Sequence, residues 1–216
     1  DRMRFTGSGT LAQVSAAGIT ARSGTATYDV VIPSDAPSQA TGTLTTSLAD
    51  VTAAGQALPE ASADVRYDAG RVIASLGGTL RSGVAVSAQS ELTLDVAAQT
   101  AQFQTLGLAF GRNAWRLAGG TAPVIGWTTA GVRVDGIDLV APDGAQHLTV
   151  SGTWSDDGAG RLRVAADGVQ LASLLPDEQS AARYGGILEA TAIVGGTREH
   201  PTVAVDFAIT DGRVVQ

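Results

Sequence analysis

Cysteine is absent from the 216 residues, which excludes disulfides, thiol chemistry and cysteine-based metal sites. Lysine is absent as well. All 14 basic residues are arginine, scattered along a chain of net charge −7, so there is no basic patch or stripe and nucleic acid is excluded as a partner class. Asn113 is the sole asparagine, and we read this arginine-only, asparagine-poor usage as the imprint of a GC-rich genome. Aromatic residues make up only 5% of the chain while 44% is hydrophobic. Apolar character therefore comes from Ala, Val and Leu, which suits a smooth apolar surface as well as a tightly filled core. No run approaches the roughly 18 apolar residues of a membrane-spanning helix, and no signal peptide is present. No helix-period segment exceeds about three turns.

Strand patterning is what the sequence does contain. The stretch Gly185 to Gly212 reads as two strands joined by a Gly-Gly-Thr turn and a proline, with Val203, Val205, Phe207 and Ile209 alternating against Thr202, Ala204, Asp206, Ala208 and Thr210. Period-two alternation of this length predicts a sheet with one apolar and one wet face. Further alternating runs are Arg2–Leu11, Thr25–Ile32, Thr43–Val51, Ala61–Tyr67, Val72–Leu76, Val84–Ala88, Leu92–Val96, His147–Trp154 and Arg161–Ala166. Trp115 and Leu117 precede a Gly-Gly turn, and Trp127 precedes another strand. Loops are predicted at Pro33–Thr41, Gly55–Pro59, Asp68–Gly70, Arg81–Gly83 and in SDDGAG before Arg161. Strands recurring every 10 to 14 residues predict an all-β architecture with antiparallel neighbours.

Two phase slips break the alternation. Ala101, Phe103 and Thr105 give way to Leu106, Leu108 and Phe110, and Val132 and Val134 give way to Ile137 and Leu139 across Asp135-Gly136. A one-residue slip turns the apolar set to the wrong face unless a bulge restores it. Bulges are therefore predicted near Thr105 and at Asp135-Gly136, and with them a curved sheet. One segment is not strand-like: Leu171, Leu174 and Leu175 fall at helical spacing, Pro176, Asp177 and Glu178 suit a first turn, Arg183 a last one, and Gly185 a closing position. We expect one short helix, about 174–184, plugging one end of the sheet; its acidic character and short apolar face argue against a membrane-surface role.

Catalytic motifs are missing. His147 and His200 are single and belong to no HxH or HExxH pattern, there is no GxSxG elbow or Walker loop, and the acidic residues lie mostly alone at solvent positions. The DDGAG turn lacks the alternating acidic ligands of a calcium loop. A glycosidase carboxylate pair would come from distant strands, and nothing singles one out. The expectation is a non-enzymatic protein with no cofactor and no metal.

The run GGILEATAIVGGTREHPTVAVDFAITDG resembles the signature of the TamB family, the inner-membrane component of the translocation and assembly module. The matching positions are Gly186, Gly196-Thr197, Pro201 and Gly212, and upstream LTVSGTW followed by LRVAADGVQLASLL stand in the same order. The resemblance covers roughly the last hundred residues; the first hundred match in general β character. It implies a long curved antiparallel sheet rolled into a taco-like trough with a hydrophobic interior, related to AsmA-like and bridge-type lipid transfer proteins. It further implies a periplasmic location, a parent protein anchored in the inner membrane, phospholipid movement to the outer membrane, and outer-membrane protein assembly with a barrel partner of the TamA/BamA type. A cysteine-free β chain suits the periplasm, and the opening at Asp1 without a start Met predicts a segment of a longer protein, a single trough with a subdivision near 112–120.

On this reading the groove-lining candidates, with acyl chains as partner, are Val84, Val86, Leu92, Leu94, Val96, Leu148, Val150, Leu162, Val164, Leu188, Ala190, Val194, Val203, Val205, Phe207 and Ile209. The competing expectations are a structural or adhesive β-domain with a self-filled core and, third, a carbohydrate-active domain, disfavoured by the scarcity of aromatic platforms.

Overall fold

The computed structural model describes residues 1–16, 19–53, 56–175, 178–197 and 200–215. Fourteen strands run β1 (Arg2–Ala16), β2 (Ile19–Pro33), β3 (Thr41–Ala53), β4 (Gln56–Asp68), β5 (Arg71–Thr79), β6 (Ala85–Asp95), β7 (Thr100–Phe110), β8 (Asn113–Leu117), β9 (Val124–Thr128), β10 (Gly131–Val140), β11 (His147–Ser155), β12 (Arg161–Gln170), β13 (Tyr184–Gly196) and β14 (Pro201–Val214). They form one antiparallel sheet in chain order, except that β8 pairs with β10 while β9 pairs with β10 and β7. The all-β class read from the alternation is the observed one. Two compact units divide the chain: residues 1–93 with 108–110, and residues 94–107 with 111–216.

Several boundaries differ from expectation, each for a local reason. Val84–Ala88 and Leu92–Val96 are not two strands: β6 runs unbroken, with the small Ser90 standing where an apolar residue would continue the alternation. Gln56–Pro59 is not a turn but the start of β4; Gly55 lies outside the described residues. Trp127 lies inside β9 and, as expected, ahead of another strand, β10. Instead of one helix there are two, α1 (Leu171–Leu174) and α2 (Glu178–Arg183), and Pro176 and Asp177 lie outside the described residues. Arg183 sits in the last turn of α2 as expected, but Gly185 does not close the helix because β13 already begins at Tyr184. Arg112 ties α1 down by donating from Nη2 to the Ala172 carbonyl at 3.0 Å.

The bulge read at Asp135-Gly136 is present. The register between β10 and β11 shifts between Val134 and Ile137, and Gly136 takes a φ of 64°. The same dipeptide acts twice more. Register shifts fall at Asp167-Gly168 in β12, where Gly168 has φ 68°, and at Asp211-Gly212 in β14, where Asp211 has φ 51°. At the first two sites the extra residue returns an apolar side chain, Ile137 or Val169, to the face it would otherwise leave. In β7, Gln104 and Thr105 are exposed in succession, which is where the alternation slips.

Candidate functional site

Residues directly opposite one another on neighbouring strands share a face, so the register builds the surfaces row by row. In the first unit one face carries Phe5, Val30, Gly42, Tyr67, Val72 and Leu92; the next row is Gly7, Tyr28, Leu44, Val65, Ala74 and Ser90, and the next Gly9, Ala26, Thr46, Ala63, Leu76 and Ala88. The opposite face carries Thr6, Asp29, Thr43, Arg66, Ile73 and Glu91, then Ser8, Thr27, Thr45, Asp64, Ser75 and Gln89. One side is thus Val, Leu, Ala and aromatic, the other largely Thr, Ser and paired charges. The polar side is knit by Arg4 to Asp29, by Arg71 to Glu91 and by the Thr45 hydroxyl donating to Asp64 at 2.8 Å. The Arg4 guanidinium holds the Asp29 carboxyl below its ordinary range. On the apolar side Gly7 leaves room for the Tyr28 side chain, whose hydroxyl and ring a Cβ there would meet at 2.8 to 3.0 Å.

A crease crosses this apolar face. In all four strands β1 to β4 the apolar spacing changes from two to three at one row: Leu11 to Val14, Ala21 to Gly24, Leu48 to Val51, Leu58 to Ala61. The intervening row is Gln13, Arg22, Asp50 and Pro59. Gln13 and Asp50 are left-handed, Arg22 pairs with Asp50, and Pro59 has no N–H to give. Beyond the crease Ala21 and Val51 are buried, and the β5–β6 turn folds in through Arg81 N–H to the Ala57 carbonyl, with Val84 buried beside it. Elsewhere the face is open at Phe5, 51% exposed, Leu44, 39% exposed, Tyr28 and Leu76, and half-buried at Val30, Val65, Tyr67, Val72 and Leu92. A cavity of about 700 Å³ lies in the first unit, lined by Thr10, Thr25, Ser47 and Ser62 of one polar-face row, by Ser23 and Glu60 of the next, and by the intervening row of Leu11, Gly24, Leu48, Ala61 and Gly78.

The second unit repeats the two-faced arrangement. Its apolar rows are Leu117, Leu139, Leu148, Ala166, Ala190 and Phe207; Ile137, Val150, Val164, Ala192 and Val205; and Ile125, Val134, Gly152, Leu162, Val194 and Val203. A further row holds Val169, Leu188 and Ile209. Burial is graded across it. Leu139 is 2% exposed, whereas on the last strand Phe207 is 70% exposed and every residue of β14 is open. On the polar face His147 Nδ1 lies 3.1 Å from Asp138 Oδ1, and that carboxylate raises the imidazole above its ordinary value.

Of the groove candidates, Leu148, Val150, Leu162, Val164, Leu188, Ala190, Val194, Val203, Val205, Phe207 and Ile209 stand together on the apolar face of the second unit. Val86 and Leu92 stand on that of the first, and Leu94 continues their alternation in β6. Val84 and Val96 lie off the strands, Val84 buried at the β5–β6 turn and Val96 exposed just beyond β6. Alternation had been carried past both strand ends. The open residues Phe5, Tyr28, Leu44 and Leu76 escaped the sequence reading of the site, although their own alternation marks them.

Among the described residues no group of three or more His, Cys, Asp or Glu side chains is placed to hold a metal, and no helix is long and apolar enough to cross a membrane. In the DDGAG turn the Asp157 carboxylate is engaged locally, accepting from the Ser155 hydroxyl and the Ala159 N–H, which lowers its pKa. A second cavity, of about 400 Å³, lies in the second unit, lined by Gln99, Gly126, Gly131, Arg133 and Thr153 and by the row of Trp127, Val132 and Trp154. Comparison with known proteins finds no matching family model, no matching curated protein and no matching solved structure.

Proposed function

We propose that this chain is a periplasmic segment of a TamB-like protein bridging the inner and outer membranes, and that the apolar faces of its two units shield phospholipid acyl chains on their way to the outer membrane. The observation that carries the reading is the exposed apolar side chains: Phe5, Leu44 and Leu76 in the first unit and Val203, Val205, Phe207 and Ile209 in the second are all open, and Val, Leu, Ala and Phe are sorted onto one side through successive strands. A self-filled structural or adhesive domain would bury its large side chains, so this pattern favours the lipid reading over that alternative. Hydrocarbon contact is non-directional and proportional to area, so such a face needs no constellation of polar groups. Each CH₂ withdrawn from water contributes about 0.8 kcal/mol.

Native mass spectrometry with lipid extraction tests the proposal. Phospholipid should co-purify with the chain and be lost when Val205 and Phe207 are both replaced by Asp. A lipid-free chain in every preparation would favour the structural or adhesive alternative.

A further inference from the structure

We propose that α1 is a releasable plug, closing one end of the second unit over three polar atoms that no protein group meets and opening when the Arg112 tether lets go. This does not depend on the acyl-chain reading. At that end Trp115 stands opposite Ala141 by continuation of the β8–β10 register, and Ala141 donates its N–H to the Gln146 carbonyl at 2.9 Å. Val169 lies beside them at the end of β12, past the register shift. All four side chains are buried. Asn113, two residues before Trp115 and so on the same face of β8, is buried with them.

This end is closed at a cost. Asn113 Nδ2, Trp115 Nε1 and Gln146 Oε1 have no hydrogen-bond partner within the protein. A buried polar group left unpaired costs free energy that hydration on opening recovers, so all three atoms favour the open state. The plug itself is slight. α1 is a single turn, Leu171–Leu174, with no side-chain cap bond at Gln170, and one turn does not sustain its own helical form. It rests on β12 and β13, and from the other side Arg112 Nη2 donates to the Ala172 carbonyl at 3.0 Å. In the order β8-β10-β11-β12, the strand that follows Arg112 lies three spacings from the strand that leads into α1, or roughly 14 Å. The bond therefore reaches across the ends of β10 and β11, where Ala141 and Gln146 are buried. Release of α1 uncovers Trp115 and Val169 and lengthens the open apolar face.

Two measurements on the full chain test this. Hydrogen exchange followed by mass spectrometry reads the opening directly, and acrylamide quenching reads Trp115 alone in a Trp127→Phe, Trp154→Phe background. Arg112→Ala should speed exchange over 168–175 about tenfold and raise the quenching of Trp115, with exchange in the middle of β11, 149–153, unchanged. Asn113→Leu and Gln146→Leu each remove an unmet polar atom and keep the bulk. Both should slow exchange over 113–117 severalfold, the reverse of what loss of a structural hydrogen bond does. Unchanged exchange and quenching in Arg112→Ala overturn the proposal. So does unchanged or faster exchange in the two leucine variants. If Arg112→Ala also speeds exchange in the middle of β11, the whole unit has loosened and the leucine variants decide: slower exchange upholds the plug, and any other result overturns it.

Discussion

The two units share one design and differ in what they do with it. The first keeps its apolar rows partly open, and among its described residues only the apolar Ala21, Val51 and Val84 are buried, all near the crease or the turn beside it. The second buries Trp115, Val134, Ile137, Leu139, Ala141, Ala165 and Val169, bends at Asp-Gly bulges, and carries both helices and all three tryptophans. The first unit is therefore held chiefly by cross-strand pairing and its polar ladder, the second by a small local core as well. A sheet can present hydrocarbon to its surroundings only where it is not using that hydrocarbon to hold itself together.

The largest effect that would break this comparison is a matched truncation. Leu139→Ala should destabilise the second unit by about 2–5 kcal/mol, whereas Leu44→Ala in the first should cost no more than about 1 kcal/mol; chemical denaturation followed by circular dichroism compares them. Equal losses would mean that Leu44 is packed as tightly as Leu139. Matched glycines come next. Gly152 has φ 115°, and a Cβ there would collide with the Arg161 carbonyl, so Gly152→Ala should cost about 1–3 kcal/mol. Gly9 has open space around its Cβ position, and Gly9→Ala should be neutral or stabilising by about 0.5–1 kcal/mol.

Smaller still is the stability change expected for Phe5→Asp, within about 0.5 kcal/mol, although lipid retained on the first unit should fall; a collapse of the fold would show Phe5 to be structural. The smallest effect is in pH dependence, where the units should differ in sign. His147 is raised by Asp138, so its contribution is complete below the ordinary histidine value of 6.5 and is lost as pH rises through the raised value. Asp29 is depressed by Arg4, so its contribution is present above the ordinary 3.8 and is lost as pH falls through the depressed value. Asp138→Asn should flatten the first dependence and leave the second, as read in pH-resolved melting curves.

Much of the sheet was legible because alternation is a direct imprint of the pleat: β11, β13 and β14 run almost as read. The Asp135-Gly136 bulge was legible because it reverses a strong alternation. The same dipeptide at 167–168 and 211–212 went unread because weaker apolar residues flank it. The crease escaped for a different reason: spacing of three in a single strand looks like noise, and only the register, which places four such slips on one row, gives it meaning. Val84 and Val96 show the converse limit, since alternation marks a parity and does not mark where a strand stops. The partnership of His147 with Asp138 was invisible because it joins β11 to β10 across a hairpin.

The central claim is that one face of each unit meets acyl chains and the other does not. Adjacent positions on one strand test it most directly. A photo-crosslinking amino acid is placed in turn at Phe5, Thr6, Leu44 and Thr45, and in the second unit at Val205 and Asp206, and crosslinks to phospholipid are scored in cells. The account predicts lipid adducts at Phe5, Leu44 and Val205 and none at Thr6, Thr45 and Asp206. Adducts at both members of each pair, or at neither, would contradict it.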